Sequence, residues 1–384
     1  MQEILGVHMV IGKNTARNEF NVDDQKTSDV FFDTDNFIVI EQERDFDFTS
    51  NEFRFLFENS SATAFQSPVW LEELYRQLAP NRSATKVVIT GRDQTSGALL
   101  FVLPLITRKL KGITLLESAD LGVCDYSAPI VHKEYIEQIA AIENLSTKVK
   151  AEIGKFDILR LKPVRDKSRA EWEMFFEGHF EQLDFSSHEA ALGEDYAEWR
   201  DEHFDAKHRK KIDQNIRRIT NHHDSVSFDI VPASDCGEII TKIQSLRAGR
   251  FEGDPIQQDY VLSFYKKIAK QGQLEGFART YVLKANGEFV GALFGLTNDK
   301  THHGMLMACD YDAFGKFSPV FGMVDLLMAD WHKDGGRICD FDIGDEPFKP
   351  KFGTKPVKLF KMTKAMSPKG VLALKVLETA NRSL

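Results

Sequence analysis

The apolar residues of this chain alternate between the period typical of strands and the period typical of helices. A first strand is predicted at 37–40, and a helix is predicted to begin at Pro68, because proline suits the first position of a helix. The elements predicted after this helix are strands at 86–90, 98–106 and 112–116, a helical region at 133–155, and strands at 156–161 and 180–185.

The second half of the chain repeats this order. Asn286-Gly287, a strong hairpin signal, separates two of its strands. Lys86 in the first half corresponds to Thr280 in the second, and Phe156 corresponds to Ile338, which indicates a duplicated unit. The elements predicted here are a helix at 260–270, strands at 278–283, 289–296 and 303–309, a helix at 319–333, and strands at 338–343 and 357–362.

Each unit contains a meander of three strands, which argues against a Rossmann fold. We therefore predict an α+β fold in which mixed, mostly antiparallel sheets are flanked by helices. The C-terminal helix has an apolar face, and we expect it to pack on the body of the protein rather than on a membrane. The predicted parts are a tail at 1–35, a first domain at 36–190, a second domain at 191–366 with a basic linker helix at 196–220, and the C-terminal helix at 367–384.

The composition excludes several classes of protein. The formal net charge is -9, which argues against a general nucleic-acid-binding protein. The four cysteines contain no CxxC pair and lie in or beside apolar runs, so reduced and buried thiols are expected. No apolar run approaches the length of a bilayer span, and the N-terminus lacks the regions of a signal peptide. These features predict a soluble, cytoplasmic protein.

The strongest candidate for a functional site is the stretch RICDFDIGDEPFKPKFGTK, residues 337–355. Because side chains alternate along a strand, Asp340 and Asp342 are expected on one face. Two carboxylates near the end of a buried strand are costly to bury unless other groups pair with them, so Asp340 and Asp342 are candidates for a functional site. The alternative is a strand end with capping aspartates and a solvated loop, and the residues alone leave both open.

A second candidate is the loop at 310–318 together with the helix that follows it. Ser318 and Pro319 have the residue types of an N-cap and a first helical position. A helix start of this kind favours anions, because its N–H groups are unpaired and the macrodipole is positive there. The alternative is an ordinary capped helix.

Motifs of several enzyme classes are missing. The chain contains no Walker A loop and no GxGxxG, GxSxG or HExxH motif. The pairs His222-His223 and His302-His303 are adjacent residues, which point apart in a helix or strand, so no metal site is expected.

Residues 196–218 are predicted to form a helix that is strongly basic in an otherwise acidic protein. Arg209 and Lys210 belong to this helix, and a buried stripe of isoleucines runs along it. The first interpretation is a solvated linker helix. The second is a contact for phosphate or carboxylate groups of a substrate.

The order of elements resembles the acyl-CoA N-acyltransferase (GNAT) fold, and two units joined by a basic helix resemble the FemAB-type tandem arrangement. The segments FQSPVWLEELY at 65–75, DAKHRKKIDQNIRRI at 205–219 and CDFDIGDEPFKPKFGTK at 339–355 resemble CelD-type acetyltransferase-like proteins associated with bacterial polysaccharide biosynthesis. The resemblance extends over residues 36–365. It implies a duplicated GNAT fold and transfer of an acyl group to an amine or hydroxyl of a sugar or cell-envelope precursor.

The resemblance also implies roles for particular residues. Asp340 or Asp342 would act as the base or orient the acceptor, with Asp345 and Glu346 next, while Lys349 would pair with a carboxylate and Tyr311 would be the acid. The predicted contacts with the donor phosphates are Gly315, Lys316, Phe317, Ser318 and Gly322. Arg247 and Arg250 are candidate acceptor contacts, and their alternative is ion pairing with Glu252 and Asp254.

The donor is expected to be acetyl-CoA or another acyl-CoA, without a metal. The usual GNAT pyrophosphate loop is reduced here to residues 315–319, and FemAB-type proteins use aminoacyl-tRNA instead, so an aminoacyl-tRNA-dependent transferase stays open. The third alternative is a non-catalytic protein that binds a glycan or nucleotide-sugar. The expected partners are a small-molecule or glycan acceptor, no nucleic acid, and a peripheral contact with the envelope or polysaccharide assembly machinery.

Overall fold

A computed structural model of the protein describes residues 37–381, so the tail predicted at 1–35 lies outside the described residues. The strands are β1 (Ile38–Gln42), β2 (Ala84–Asp93), β3 (Leu99–Leu110), β4 (Ile113–Ser118), β5 (Ile130–Val131), β6 (Ile158–Arg165), β7 (Glu181–Ala191), β8 (Val226–Ile230), β9 (Ala278–Ala285), β10 (Glu288–Asn298), β11 (Thr301–Cys309), β12 (Ile338–Ile343) and β13 (Lys355–Ala365).

The helices surround these strands. They are α1 (Asn51–Glu58), α2 (Pro68–Glu73), α3 (Ala79–Asn81), α4 (Ile136–Ala140), α5 (Leu145–Ile153), α6 (Asp166–Phe175), α7 (Tyr196–His203), α8 (Ala206–His222), α9 (Cys236–Arg247), α10 (Asp259–Glu275), α11 (Tyr311–Phe314), α12 (Pro319–Lys333) and α13 (Pro368–Asn381). Shorter helical turns lie at Ala64–Gln66, Leu74–Leu78, Lys133–Tyr135, Pro255–Gln257, Gly315–Phe317 and Lys349–Phe352.

Within residues 37–381 the strands form one sheet in the order β1-β2-β3-β4-β6-β13-β7-β12-β11-β10-β9-β8, and β5 pairs with β3. Each half contributes an antiparallel meander, β2-β3-β4 or β9-β10-β11. A parallel strand follows each meander, because β6 pairs in parallel with β4 and β12 pairs in parallel with β11. The duplicated GNAT fold and its mixed, mostly antiparallel sheet are thus confirmed.

The last strand of each half pairs with the other half. β7 follows β6 along the chain but pairs with β12, and β13 follows β12 but pairs with β6. β7 and β13 also pair with each other at the centre of the sheet. This reciprocal exchange joins the two meanders, and the described residues 37–381 belong to one compact unit. The boundary predicted between 190 and 191 falls at the end of β7.

Two predicted helices are interrupted. The basic helix predicted at 196–220 is divided into α7 and α8, because the side chain of Asp205 accepts a hydrogen bond from the backbone N of His208 (2.7 Å) and starts a new helix. The helical region predicted at 133–155 is divided into α4 and α5 at Asn144, which has a left-handed φ of 56°. The capping side chain of Asp205 and the left-handed backbone of Asn144 thus interrupt helices that the apolar period alone would continue.

The C-terminal helix differs from the expectation that its apolar face packs on the body. α13 contacts β4 and β13, but its large aliphatic side chains are exposed. They are Val371, Leu372, Val376 and Leu377. None of the described helices is long and apolar enough to cross a membrane.

Candidate active site

The parallel strands β11 and β12 separate after a short paired region. Thr301–His303 pair with Ile338–Asp340. Beyond His303, the edge of β11 that faces β12 has no partner strand within residues 37–381, while its other edge remains paired with β10 through Cys309. Backbone N–H groups at this edge of β11 are therefore left for a ligand.

The sequence of β12 promotes this separation. Asp342 has a φ of 55°, which is left-handed and more accessible to aspartate than to most residues. Gly344 follows with a φ of 109°. The pairing of β12 with β7 shifts register between Asp340 and Ile343. The strand consequently bends away from β11 just after its two aspartates.

A cavity of about 360 Å³ fills the space between the two strands. Its lining is mainly apolar and includes side chains from both faces of the sheet. On the face covered by α12 it is lined by Val324, Leu327, Met328 and Phe348, and on the opposite face by Asp125, Arg247, Phe251 and Leu306. Asp340 and Asp342 also line it. We call this cavity the β11–β12 slot.

A buried network of charges lies at the polar end of the slot. Arg165 at the end of β6 forms an ion pair with Asp340, whose side chain is completely buried. Asp340 also accepts hydrogen bonds from Tyr126 Oη (3.0 Å) and from the backbone N of Asp342 (2.9 Å). His303 Nδ1 lies 3.1 Å from Asp340 Oδ2 and 3.4 Å from Asp342 Oδ1. Strands from both halves thus supply the network.

Asp342 differs from Asp340 in that its carboxylate makes no hydrogen bond within residues 37–381. Both of its carboxylate oxygens are buried and have no hydrogen-bond partner among the described residues. Its contact with His303 is therefore a charged contact rather than an aligned hydrogen bond. A buried carboxylate without hydrogen bonds is costly unless a ligand or a proton completes it.

The environment moves the pKa values of these groups in different directions. Burial and the nearby Asp340 charge raise the pKa of Asp342 to about 6. Burial alone would lower the pKa of His303, but the two carboxylates raise it to about 9. Arg165 and His303 hold the pKa of Asp340 below its ordinary value in spite of its burial. At neutral pH the site therefore contains an ionised Asp342 beside an imidazolium.

Asp125 is a third carboxyl group of the slot and comes from the first half of the chain. Its Oδ2 accepts a hydrogen bond from the backbone N of Ile343 (3.4 Å). Burial, followed by the charge of Asp342, raises the pKa of Asp125 well above its ordinary value. The charge of Asp342 thus disfavours ionisation of Asp125, as in other carboxyl pairs that share a site.

Lys349 positions the loop that carries Asp342. Its Nζ donates hydrogen bonds to the backbone carbonyls of Asp342 (3.1 Å), Ile343 (2.9 Å) and Gly344 (2.9 Å). It also forms an ion pair with Glu346 (2.8 Å), whose side chain is half exposed. Because the donors of Lys349 are all used, it acts on the backbone of the loop rather than on a substrate.

Other residues predicted from the sequence lie outside the centre of the slot. Asp345 is bound to His188 Nε2 (3.0 Å) and is half exposed. Arg247 lines the slot but is held by Asp254 (2.8 Å), as its alternative interpretation stated. Arg250 lies over the ring of Tyr311, 4.3 Å from its centroid, and Tyr311 is exposed.

The loop predicted to hold the donor phosphates comes directly before α12, as expected, but its last residue does not cap the helix in the expected way. Ser318 has a left-handed φ of 47°, and its side chain makes no capping hydrogen bond, so the first N–H groups of α12 are left without that partner. Gly322 lies against Ile216, because a Cβ there would be 3.1 Å from Ile216 Cγ1, and this position favours a role in packing α8 on α12. Gly315 lies against Tyr311, and Phe317 is buried.

A basic depression of about 340 Å³ lies beside this loop and joins it to the basic helix. It is lined by Arg218, Asn221, His222, Lys316 and Phe317. Lys316 Nζ is 3.5 Å from His222 Nε2. Arg209 and Lys210 lie outside it: Arg209 forms an ion pair with Asp201 (2.6 Å), and Lys210 is exposed.

A polar cavity of about 630 Å³ adjoins the network from the side of His303 and Arg165. Its other lining residues are mostly hydroxyl, amide and charged groups, among them Ser61, Lys133, Lys167, Asn298 and Asp299.

Potential metal-ligand atoms of His303, Asp340 and Asp342 lie within 4.8 Å of one another. Arg165 already neutralises Asp340, and the absence of a metal stays a prediction.

Sequence reasoning missed His303, Arg165, Tyr126 and Asp125. Part of the signal for His303 was available, since the strands predicted at 303–309 and 338–343 are parallel neighbours in the structure, and their register places His303 opposite Asp340. The others come from the first half, and no local pattern connects them with Asp340.

Comparisons with known proteins agree with this geometry. Residues 206–350 match the family model described as "Acetyltransferase (GNAT) domain". The match includes β11, α12 and β12, the elements that form the slot. The chain therefore has a duplicated GNAT fold, and its second half is similar to the GNAT acetyltransferase domain. No curated protein sequence matches the chain.

Solved structures are similar in fold at low sequence identity. FemX has 12% identity and a TM-score of 0.59, covering 85% of this chain and 97% of its own. A conserved protein of unknown function from Bacteroides thetaiotaomicron VPI-5482 has 12% identity and a TM-score of 0.54, covering 86% and 100%. L-PGS from Bacillus licheniformis has 12% identity and a TM-score of 0.51, covering 87% and 96%. At this identity the similarity establishes the fold alone.

Proposed function

We propose that the protein is an acyltransferase that moves an acyl group from acyl-CoA to an amine or hydroxyl of a sugar or cell-envelope precursor. The observation that carries the proposal is the carboxylate of Asp342, which is buried without a hydrogen bond from any described residue at the polar end of an apolar slot between two separated strands. The slot suits an acyl chain, and the polar cavity on the other side of His303 favours a polar acceptor.

In the proposed reaction Asp342 is the general base. It removes a proton from the acceptor as the acceptor nitrogen or oxygen attacks the thioester carbonyl carbon. Unpaired backbone N–H groups of β11 polarise the carbonyl oxygen, and the C–S bond breaks to release the thiolate, which takes up a proton. A base with a pKa near 6 is ionised at neutral pH and still basic enough to assist the attack.

The proposed site for the donor phosphates is the basic depression at the start of α12. Lys316, Arg218 and the uncapped N–H groups of α12 would bind them. Calorimetric titration with acetyl-CoA, a longer acyl-CoA and free CoA tests this assignment. We expect saturable binding that Lys316→Glu weakens. Lys333→Glu, the same change at the other end of α12, is the control and should have little effect. Absence of binding by all three compounds would refute the CoA mechanism.

Turnover is tested separately, by release of CoA thiol in the presence of a panel of amino sugars. Asp342→Asn should abolish thiol release and retain the affinity for acyl-CoA. A non-catalytic glycan-binding protein would bind a sugar without release of thiol in either form, so this result would favour that alternative.

An aminoacyl-tRNA-dependent transferase is the second candidate, and the exposed face of α8 favours it. The exposed cations of this face are Lys207, Lys210, Lys211, Arg217 and Arg218. Such a face suits a phosphate backbone. Charge reversal of Lys210 and Lys211 should reduce binding of aminoacyl-tRNA if this candidate is correct, and unchanged binding would count against it.

A further inference from the structure

The large aliphatic side chains of α13 are exposed although the helix is attached to the body. Val371 is 45% exposed, Leu372 65%, Val376 59% and Leu377 57%. Isolated exposed aliphatic residues are common, but four on one helix form a patch of the kind that marks an interaction surface.

The turn between β3 and β4 brings a fifth exposed aliphatic residue to the same end of the sheet. Leu110, the last residue of β3 before this turn, is 62% exposed. Asp157 connects the turn with α13, because its carboxylate accepts hydrogen bonds from the backbone N of Thr114, just after the turn, and from Ser367 Oγ, just before α13. The backbone of Gly370 lies directly against Asp157: a Cβ there would be 2.0 Å from the carbonyl oxygen.

Lysines lie close in sequence to these aliphatic residues. Lys109 and Lys111 flank Leu110, and α13 contributes Lys369 and Lys375. All four are exposed, and none forms an ion pair within residues 37–381. α13 has one acidic residue in its sequence, Glu378. A local excess of positive charge in a protein with a formal net charge of -9 indicates a partner that is negatively charged.

We propose that this surface, formed by Leu110, the four aliphatic residues of α13 and the four lysines, docks the protein on a membrane rich in anionic lipid. Aliphatic side chains that insert at the level of the headgroups, together with lysines that face the lipid phosphates, are the combination by which amphipathic helices lie on such membranes. A second copy of the chain fits less well, since a symmetric contact through this surface would bring like charges together.

Co-sedimentation of the full chain with lipid vesicles tests the proposal. We expect binding to vesicles of equal parts phosphatidylglycerol and phosphatidylcholine, weaker binding at high salt, and little binding to phosphatidylcholine alone. Leu372→Asp combined with Leu377→Asp should abolish binding. Lys109→Ala combined with Lys111→Ala should weaken it about fivefold per lysine.

Leu274→Asp is the matched control, because Leu274 is 64% exposed on α10, close to the value for Leu372. It should leave vesicle binding unchanged. Circular dichroism of each variant establishes that it remains folded. Absence of binding to the anionic vesicles, or an equal loss in the control, would overturn the proposal. A dimer seen by light scattering that Leu372→Asp dissociates would assign the surface to a second copy instead.

Discussion

Replacement of Arg165 by leucine tests whether the charge network at the slot is as buried as its geometry indicates. The side chain of Asp340 is 0% exposed and that of Arg165 is 17% exposed, so the substitution would leave a buried carboxylate without its main counter-ion. Loss of one partner of a buried ion pair costs about 3–5 kcal/mol. Because Tyr126 Oη and His303 remain beside Asp340, we expect the lower end, about 3 kcal/mol in the free energy of unfolding.

The cost should depend on pH in a defined direction. In the native protein the folded pKa of Asp340 lies below its ordinary value of 3.8, so its stabilising contribution is present above that value and is lost as pH falls through the folded pKa. Without Arg165, burial dominates and raises the pKa of Asp340, so the variant loses stability as pH rises through its new folded pKa. The difference between the two proteins should therefore be larger at about pH 8 than at about pH 5.

Urea unfolding monitored by tryptophan fluorescence at both pH values measures this difference. Arg209→Leu is the control, since its partner Asp201 is 69% exposed, and it should change stability by less than about 0.5 kcal/mol. A cost below about 1 kcal/mol for Arg165→Leu, equal at the two pH values, would refute the assignment of a buried pair.

Three further outcomes follow from the site. The pH profile of kcat/KM should rise with an apparent pKa near 6, as Asp342 ionises, and fall near 9, as His303 loses its proton; a flat profile over this range would contradict both roles. Lys349→Met should lower the free energy of unfolding by about 3 kcal/mol, because three carbonyls lose a charged donor. Urea unfolding measures this loss, and a loss below about 1 kcal/mol would contradict the role of Lys349 in holding the loop. Gly370→Ala should lower the melting temperature, because the backbone carbonyl of Asp157 occupies the space of the new Cβ. Gly237→Ala is the control and should not lower it, because the nearest contact of its Cβ would be at 3.5 Å. Equal effects of the two variants would contradict the close packing of Gly370 on Asp157.

The sequence predicted the order of elements and the strand with its two aspartates because both depend on local patterns. β12 was found as a short apolar run, and α12 begins at Pro319 and ends at Lys333 as predicted. The placement of Asp340 and Asp342 near one another follows from strand alternation, and both contact the same nitrogen of His303. Such features can be predicted from the apolar period of the sequence and from the residues that interrupt it.

The rest of the site depends on contacts between distant parts of the chain. Arg165 reaches Asp340 because β7 and β13 are exchanged between the halves and bring β6 and β12 to the same region of the sheet. Lys349 was predicted to pair with a carboxylate, and its Nζ does so with Glu346 (2.8 Å), but its other contacts are three carbonyls of the loop that it follows. A positive charge in a loop looks the same in the sequence whether it faces a substrate or its own backbone.

The exchange of strands lets the two halves make different contributions to the slot. β12 carries the two aspartates, whereas β6 ends at Arg165, the counter-ion of Asp340. Asp125 and Tyr126, from the same half, supply a carboxyl group and a hydrogen bond to the slot of the other. Arg165, Asp125 and Tyr126, which lie outside the match at 206–350, therefore complete the contacts of the charged groups at the slot.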